Sequence, residues 1–170
     1  MTFSIRPARE ADAPAMVAVL NAIIATGAFT IMDQPLTIAD QLDFIQSLQT
    51  HGVFNVAVAA ADQAVWGMQS VEPFAPLVNA LQQVGDISTF VALNVRQHGV
   101  GRALSRATLA GARAQGFRKI MATIRADNPA AVAFYLRQGF TIIGTARQHA
   151  VVQGKLVDEV LMEQVLLNHS

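Results

Sequence analysis

Residues 86–116, DISTFVALNVRQHGVGRALSRATLAGARAQG, place a strand, a glycine-bearing turn and a helix in immediate succession, and that order constrains the rest of the chain. Ile87 to Leu93 is apolar and β-branched enough to predict a buried strand. It empties into Arg96-Gln97-His98-Gly99-Val100-Gly101, after which the spacing turns helical. Val100, Ala103, Leu104, Ala107, Gly111 and Ala114 share one face, with Arg102, Arg106 and Arg113 outside it. The first amides of a helix have no intrahelical partner, and the helix dipole places partial positive charge there. With glycine permitting close approach to the backbone, the arrangement predicts an anion site.

Several phosphate-binding families use this geometry. A P-loop is excluded, because no Lys-Ser or Lys-Thr follows the second glycine of any G-x-x-x-x-G. A dinucleotide fingerprint fits poorly, since its third glycine would fall on Leu104. The R-x-x-G-x-G of Arg96 to Gly101 resembles the acyl-CoA pyrophosphate loop of the GNAT superfamily of N-acetyltransferases. A turn that merely starts a helix is the competing reading.

The chain of 170 residues is long enough for one domain, residues 1–170, with a sizeable core. Charged residues make up 14% and hydrophobic ones 52%, a balance that excludes disorder. A formal net charge of zero argues against nucleic acid as a partner. No apolar run reaches membrane-span length and MTFSIRPARE lacks a signal-peptide core, so the expectation is a cytoplasmic protein with no membrane partner. Cysteine is absent, which removes disulfides, thiolate nucleophiles and cysteine metal sites. Low charge predicts some apolar surface covered by a second copy, a homodimer.

Elsewhere the chain alternates strand and helix signals. Phe3 to Arg6 reads as a strand, Asp12 as the cap of a helix burying Met16, Val19, Leu20, Ile23 and Ile24. The loop from Thr26 to Pro35 is apolar, with Phe29, Ile31 and Met32 either packed on the body or lining a pocket. Thr37 and Asp40 form a capping box for a helix with Ile38, Leu42, Ile45 and Leu48 inward. Phe54 to Ala60 and Val65 to Val71 form a hairpin. Downstream come a strand to Arg125, a helix from Asn128-Pro129 to Gly139, and two strands, Phe140 to Ala146 and Leu156 to Leu166. The sum is an α/β domain.

Asn128-Pro-Ala-Ala-Val-Ala-Phe-Tyr135-Leu-Arg-Gln-Gly139-Phe140 is similar to the second GNAT signature, N-x-x-A-x-x-x-Y-x-x-x-G-F, and lies one strand after the first. The general layout is most similar to the phosphinothricin-type branch, which acetylates small amines. The resemblance implies a mixed, mostly antiparallel sheet with helices on both faces, two splayed central strands, and acetyl-CoA in the wedge. It implies that Gln97, His98, Gly99, Val100, Gly101 and Arg102 offer backbone amides to the pyrophosphate, while Arg96 is either an added phosphate contact or a solvated loop cation. Phe90 and Val91 would pair by their backbone with the pantetheine arm, and Asn128 would touch the cofactor. Tyr135 would stand at the thioester sulfur. The family often has Gln at the place of Arg96 and Pro at that of Leu93, differences that leave a backbone cradle intact.

Amine acetylation needs a base, because an ammonium has no lone pair, and a donor for the tetrahedral oxyanion. The leaving thiolate needs at most a weak acid, and a tyrosine hydroxyl with pKa ~10 serves. Tyr135 is the only tyrosine. Asp86 opens the central strand where the branch carries Glu, and on alternation it shares a face with Ser88 and Phe90. Being shorter than glutamate, it would act through water. A strand-end cap is the other reading of Asp86, and Glu72 is the alternative base. His51, His98, His149 and His169 have no metal-ligand spacing, so no metal is expected. The expectation is acetyl-CoA-dependent transfer to an amino-acid-like or antibiotic-like small amine. The acceptor would be chosen by the Thr26 to Pro35 loop and by Arg147, His149 and Val151. Acetylation of peptide N-termini and acyl-CoA binding without turnover are the alternatives.

Overall fold

A computed structural model describes residues 2–166, and His169 lies outside them. The strands are β1 (Phe3–Pro7), β2 (Val53–Ala59), β3 (Val65–Pro73), β4 (Val84–Val91), β5 (Lys119–Arg125), β6 (Thr141–Val152) and β7 (Lys155–Val165). The helices are α1 (Ala13–Ala25), α2 (Ile38–Ser47), α3 (Val100–Ala114) and α4 (Pro129–Arg137). One seven-stranded sheet runs β1-β2-β3-β4-β5-β7-β6, antiparallel at every pair except β4 and β5. That parallel pair holds together only from Val84 to Asp86 against Lys119 to Met121. Beyond it the two strands diverge, whereas β3 stays paired with β4 from Gly67↔Val91 to Pro73↔Gly85. The expected mixed sheet with splayed central strands is therefore present.

Alternation distributes the core over both faces of the sheet. Met16, Leu20 and Ile24 of α1 and Ile45 of α2 meet Val56, Val58 and Met68 on one face. On the other, Leu109 and Ala112 of α3 and Tyr135 of α4 meet Val71, Ile87, Ile120, Ala122, Ile124 and Met162. Each large aliphatic or aromatic side chain removed from water in these layers contributes about 1.5–3 kcal/mol, which fixes the helices on the sheet.

Several local expectations change. The central strand starts at Val84 rather than Ile87 and ends at Val91, with Leu93 in a 3-10 turn, Leu93–Val95. Asp12 does not cap α1 with its side chain. Its carboxylate accepts two bonds from Arg6, both 2.7 Å, and one from the Arg9 N–H at 2.8 Å. A bidentate guanidinium outcompetes a single helix amide for those oxygens. Thr37 and Asp40 do form the capping box, with Asp40 N donating to Thr37 Oγ1 at 3.1 Å and Thr37 N to Asp40 Oδ2 at 2.8 Å. Ile38, in the first turn of α2, is exposed, and Gln41 is buried in its place. The buried face of α3 is rotated from the all-apolar stripe to include Ser105 and Thr108. Both hydroxyls have side-chain partners on the sheet, which removes the cost of burying them.

Candidate active site

The gap between β4 and β5 opens into a cleft of about 860 Å³. Its walls are Thr89 to Val91 of β4, the turn and first residues of α3, and Asn128, Phe134 and Tyr135 of α4. The turn is shaped by two left-handed residues, Gln97 (φ 67°) and Gly99 (φ 80°), the latter capping α3. The first helical bond is Ala103 N to Gly99 O at 3.0 Å. Among the described residues, no N–H from Gln97 to Arg102 donates within the protein. Six consecutive amides are thus left without a partner at the helix N-terminus, the physical requirement for holding a diphosphate.

Of the site residues named from sequence, Phe90, Val91, Arg96, Gln97, Gly99, Val100, Gly101, Arg102, Asn128 and Tyr135 all line this cleft, and His98 and Asp86 do not. His98 instead has Nδ1 2.8 Å from Arg96 O, a contact within the turn. The side chain of Arg96 is not a solvated cation. Its guanidinium carbon lies 4.0 Å above the centre of the Phe29 ring, and burial lowers its pKa. Asn128 caps α4, accepting from Ala131 N at 3.2 Å through Oδ1, so its amide nitrogen is the part left for a ligand.

Hydrogen-bond register decides which backbone groups of β4 face the gap. Phe74 N donates to Val84 O and Ala92 N to Trp66 O, so the even-numbered residues between them address β3. The odd-numbered Thr89 and Val91 therefore turn their N–H and C=O to the open side. Val91 has the open backbone edge that the expected pairing requires, whereas Phe90 has its main chain committed to β3 and enters the cleft by its ring.

Tyr135 sits at the inner end, nearly buried, edge-on to Phe134 and Phe140 with ring centres 5.1 Å apart in both pairs. Its hydroxyl is 2.8 Å from Thr89 Oγ1. Burial, with a smaller contribution from the Asp86 charge, holds its pKa well above the ordinary tyrosine value. Gln69 Nε2 donates to Thr89 Oγ1 at 2.8 Å and to Ser105 Oγ at 2.9 Å. Asn55, opposite Gln69 on β2, donates to Thr108 Oγ1 at 3.1 Å. Asn55, Gln69 and Thr89 thus form one polar row across three strands, ending at the Tyr135 hydroxyl. The sequence reading missed this row. Its signal was a polar residue at the inward position of two otherwise apolar strands, FNVAVA and VWGMQSV.

Asp86 and Glu72 stand directly opposite each other on β4 and β3. Burial first, then the charges of Glu72 and Glu159, push Asp86 up to about 6. Burial raises Glu72 as well. Glu159 accepts from or pairs with His149 Nδ1 at 2.8 Å. Glu72, Ser88 and Phe90 line a second cavity of about 300 Å³ beneath α1 and α2, so Phe90 is shared by both spaces. The Thr26 to Pro35 loop bridges them, with Phe29 on the cleft and Met32 on the second cavity. Ile31 points to solvent.

Arg125, another residue the sequence reading passed over, anchors that loop. Nη1 donates to Gly27 O at 2.7 Å and Thr30 O at 3.0 Å, while Nε and Nη2 grip Asp127 at 2.8 and 2.7 Å.

The chain is similar in sequence and fold to known proteins. L-methionine sulfoximine/L-methionine sulfone acetyltransferase of Pseudomonas aeruginosa is 26% identical over 163 residues, 96% of this chain and 94% of the relative. Phosphinothricin N-acetyltransferase of Streptomyces viridochromogenes is 28% identical over 143 residues, 84% of this chain and 76% of the relative. Among solved structures, a phosphinothricin acetyltransferase from Sinorhizobium meliloti in complex with AcCoA shares the fold, with a TM-score of 0.89 and 24% identity. The match covers 98% of this chain and 89% of that one. The model of the Acetyltransferase (GNAT) family matches residues 22–140, which include both signatures, and the chain belongs to that family.

Proposed function

We propose that this protein transfers the acetyl group of acetyl-CoA directly to the primary amine of a small molecule. One observation carries the reading: the backbone N–H groups of Gln97 to Arg102 are unengaged, and all of these residues but His98 line a cleft that ends at a protonated, hydrogen-bonded tyrosine. The relatives named for acetylating methionine sulfoximine and phosphinothricin support a small acceptor. The amides receive the pyrophosphate, and the open backbone edge of Thr89 and Val91 receives the pantetheine amides. The same edge offers N–H donors to the oxyanion formed when the amine attacks the thioester carbon. Asn128, through its free amide nitrogen, touches the cofactor arm.

The carbon–nitrogen bond forms as the carbon–sulfur bond breaks, and the sulfur takes the Tyr135 proton. Asp86 accepts the proton of the incoming ammonium through water. A pKa near 6 leaves it ionised at neutral pH and able to act as a base, and water bridges it to the cleft, which Asp86 itself does not line. Glu72 opposite it keeps that pKa high.

The test is release of free CoA thiol with a panel of amino acids, polyamines, arylalkylamines and antibiotics. Release with at least one amine, and no acetylated protein in intact mass spectra after mixing with acetyl-CoA alone, is expected. A covalent acetyl intermediate that an amine discharges overturns direct transfer. Stabilisation by acetyl-CoA with no release for any amine overturns the catalytic reading.

A further inference from the structure

The cavity of about 300 Å³ beneath α1 and α2 is at the small end of the range for ligand pockets. Leu20, Met32, Phe44, Phe54, Met68 and Phe90 make most of its wall. Phe90 also lines the cofactor cleft, so a molecule seated in the cavity can reach past that ring to the thioester.

Few groups in this space can recognise a polar atom. Asp40 lines it, but its carboxylate already accepts from Thr37 N at 2.8 Å and from Thr37 Oγ1 at 2.7 Å. Glu72, when ionised, can only accept. Ser70 and Ser88, opposite each other on β3 and β4, carry hydroxyls that rotate between donating and accepting. Gln41 is different. It is 2% exposed, lines the cavity, and has an Nε2 with no hydrogen-bond partner among the described residues.

The fold gives no reason for an amide at this position. Gln41 and Ile45 are the buried residues of α2, one turn apart on its inward face. A leucine or methionine would fill the same place with no polar atom to satisfy. A buried N–H left without an acceptor costs about 1–3 kcal/mol. An oxygen on a molecule occupying the cavity removes that cost.

We infer that Gln41 is a specificity-determining residue for the acceptor: its Nε2 donates to an oxygen on the acceptor's body. The site then prefers amines whose apolar chain carries a sulfone, sulfoxide or carbonyl oxygen to those whose chain carries none. The inference rests on the acetyltransfer reading and narrows its substrate. It makes no demand on a carboxylate, and Gln41 takes no part in the bond exchange.

The experiment compares kcat/KM within two pairs, methionine sulfone against methionine and 3-(methylsulfonyl)propylamine against 3-(methylthio)propylamine. Each pair differs only in the oxygens on sulfur. The pairs differ from each other by the α-carboxylate, so the outcome does not depend on whether the site takes one. The sulfone of whichever pair is turned over should be favoured at least about tenfold, through KM rather than kcat. In Gln41→Met that ratio should fall to about one. Gln41→Glu, which replaces the donor with an acceptor, should bring it below one. A ratio taken within one variant is independent of how much of that variant folds. Gln41→Met should also raise the Tm of the ligand-free protein by about 2–4 °C, because an unsatisfied buried amide is gone. A lower Tm would assign the amide to the fold instead, and a ratio that survives in Gln41→Met would remove the residue from recognition. A wild-type ratio of one or less would mean that water satisfies the amide, which overturns the inference and leaves acetyl transfer standing. Turnover confined to amines outside both pairs does the same. If no amine of any kind releases CoA, the acetyltransfer reading fails and takes this inference with it.

Discussion

The Tyr135 hydroxyl and Thr89 Oγ1 lie 2.8 Å apart, and the same threonine oxygen accepts from Gln69 Nε2 at 2.8 Å. Either hydroxyl can be the donor in this bond, and in the arrangement where Thr89 gives its hydrogen to the tyrosine oxygen the phenolic hydrogen is free for the leaving sulfur. Tyr135→Phe should lower kcat by about 100-fold with little change in KM for acetyl-CoA. Thr89→Val keeps the shape but removes the hydroxyl that Tyr135 bonds, and should lower kcat about tenfold. Thr89→Ser should restore it. A kcat that Thr89→Val leaves untouched would show that the row only fills the core.

The acid limb of the kcat/KM profile should have its midpoint near pH 6, where Asp86 ionises. The same shift acts on stability. The folded carboxyl holds its proton more tightly than the unfolded value of 3.8 allows, so Asp86 supports the fold below about pH 4 and loses that contribution as pH rises to about 6. Asp86→Asn should stabilise the protein at pH 8 by roughly 1–2 kcal/mol, after discounting for residual solvent contact, and give no gain at pH 4. Its kcat should fall about 100-fold. Thermal melts at the two pH values and a pH–rate profile check both signs.

Arg125 joins the end of β5 to a loop nearly a hundred positions earlier through two carbonyls, Gly27 O and Thr30 O. Arg125→Met removes both charge-assisted bonds and should cost about 2–3 kcal/mol. Phe29 and Met32 lie on this loop, so KM for the amine should rise about tenfold, a loss of roughly 1.4 kcal/mol in positioning. KM for acetyl-CoA should move less. Limited proteolysis between Thr26 and Pro35 should accelerate in the variant.

What could be read before the structure was what local chemistry dictates. The turn at Gly99, the helix that follows, and the tyrosine's place on α4 each depend on neighbours within a few residues, and all stand where the motifs put them. Features set by tertiary contacts depart from the local expectation. Asp12 looked like a helix cap because its neighbours are helical, yet Arg6 on β1 claims its carboxylate. The α3 periodicity shows only an apolar stripe, because nothing in the helix reveals that Gln69 and Asn55 lie opposite Ser105 and Thr108. Arg96 gave no sign that Phe29 would lie under it. Partners remote in sequence leave a trace only as polar residues at inward positions, and that trace names no partner.

Gly99 and Gly116 allow the cradle to be separated from backbone strain. Both have positive φ, +80° and +90°, and an added Cβ meets nothing within 4 Å at either. Alanine at either position should therefore cost about the same, roughly 1–2 kcal/mol for the left-handed conformation alone. The two differ in what occupies the open space. Gly99 lines the cleft and caps α3, where the diphosphate is proposed to rest, whereas Gly116 follows the other end of α3 and lies outside the cleft. Gly99→Ala places a methyl group against the phosphates and should raise Kd for acetyl-CoA about tenfold or more, while Gly116→Ala should leave it within twofold at a similar Tm. Calorimetric titration with acetyl-CoA and with CoA measures both. Equal weakening in the two variants would mean that the effect is one of stability and that the six amides hold no diphosphate.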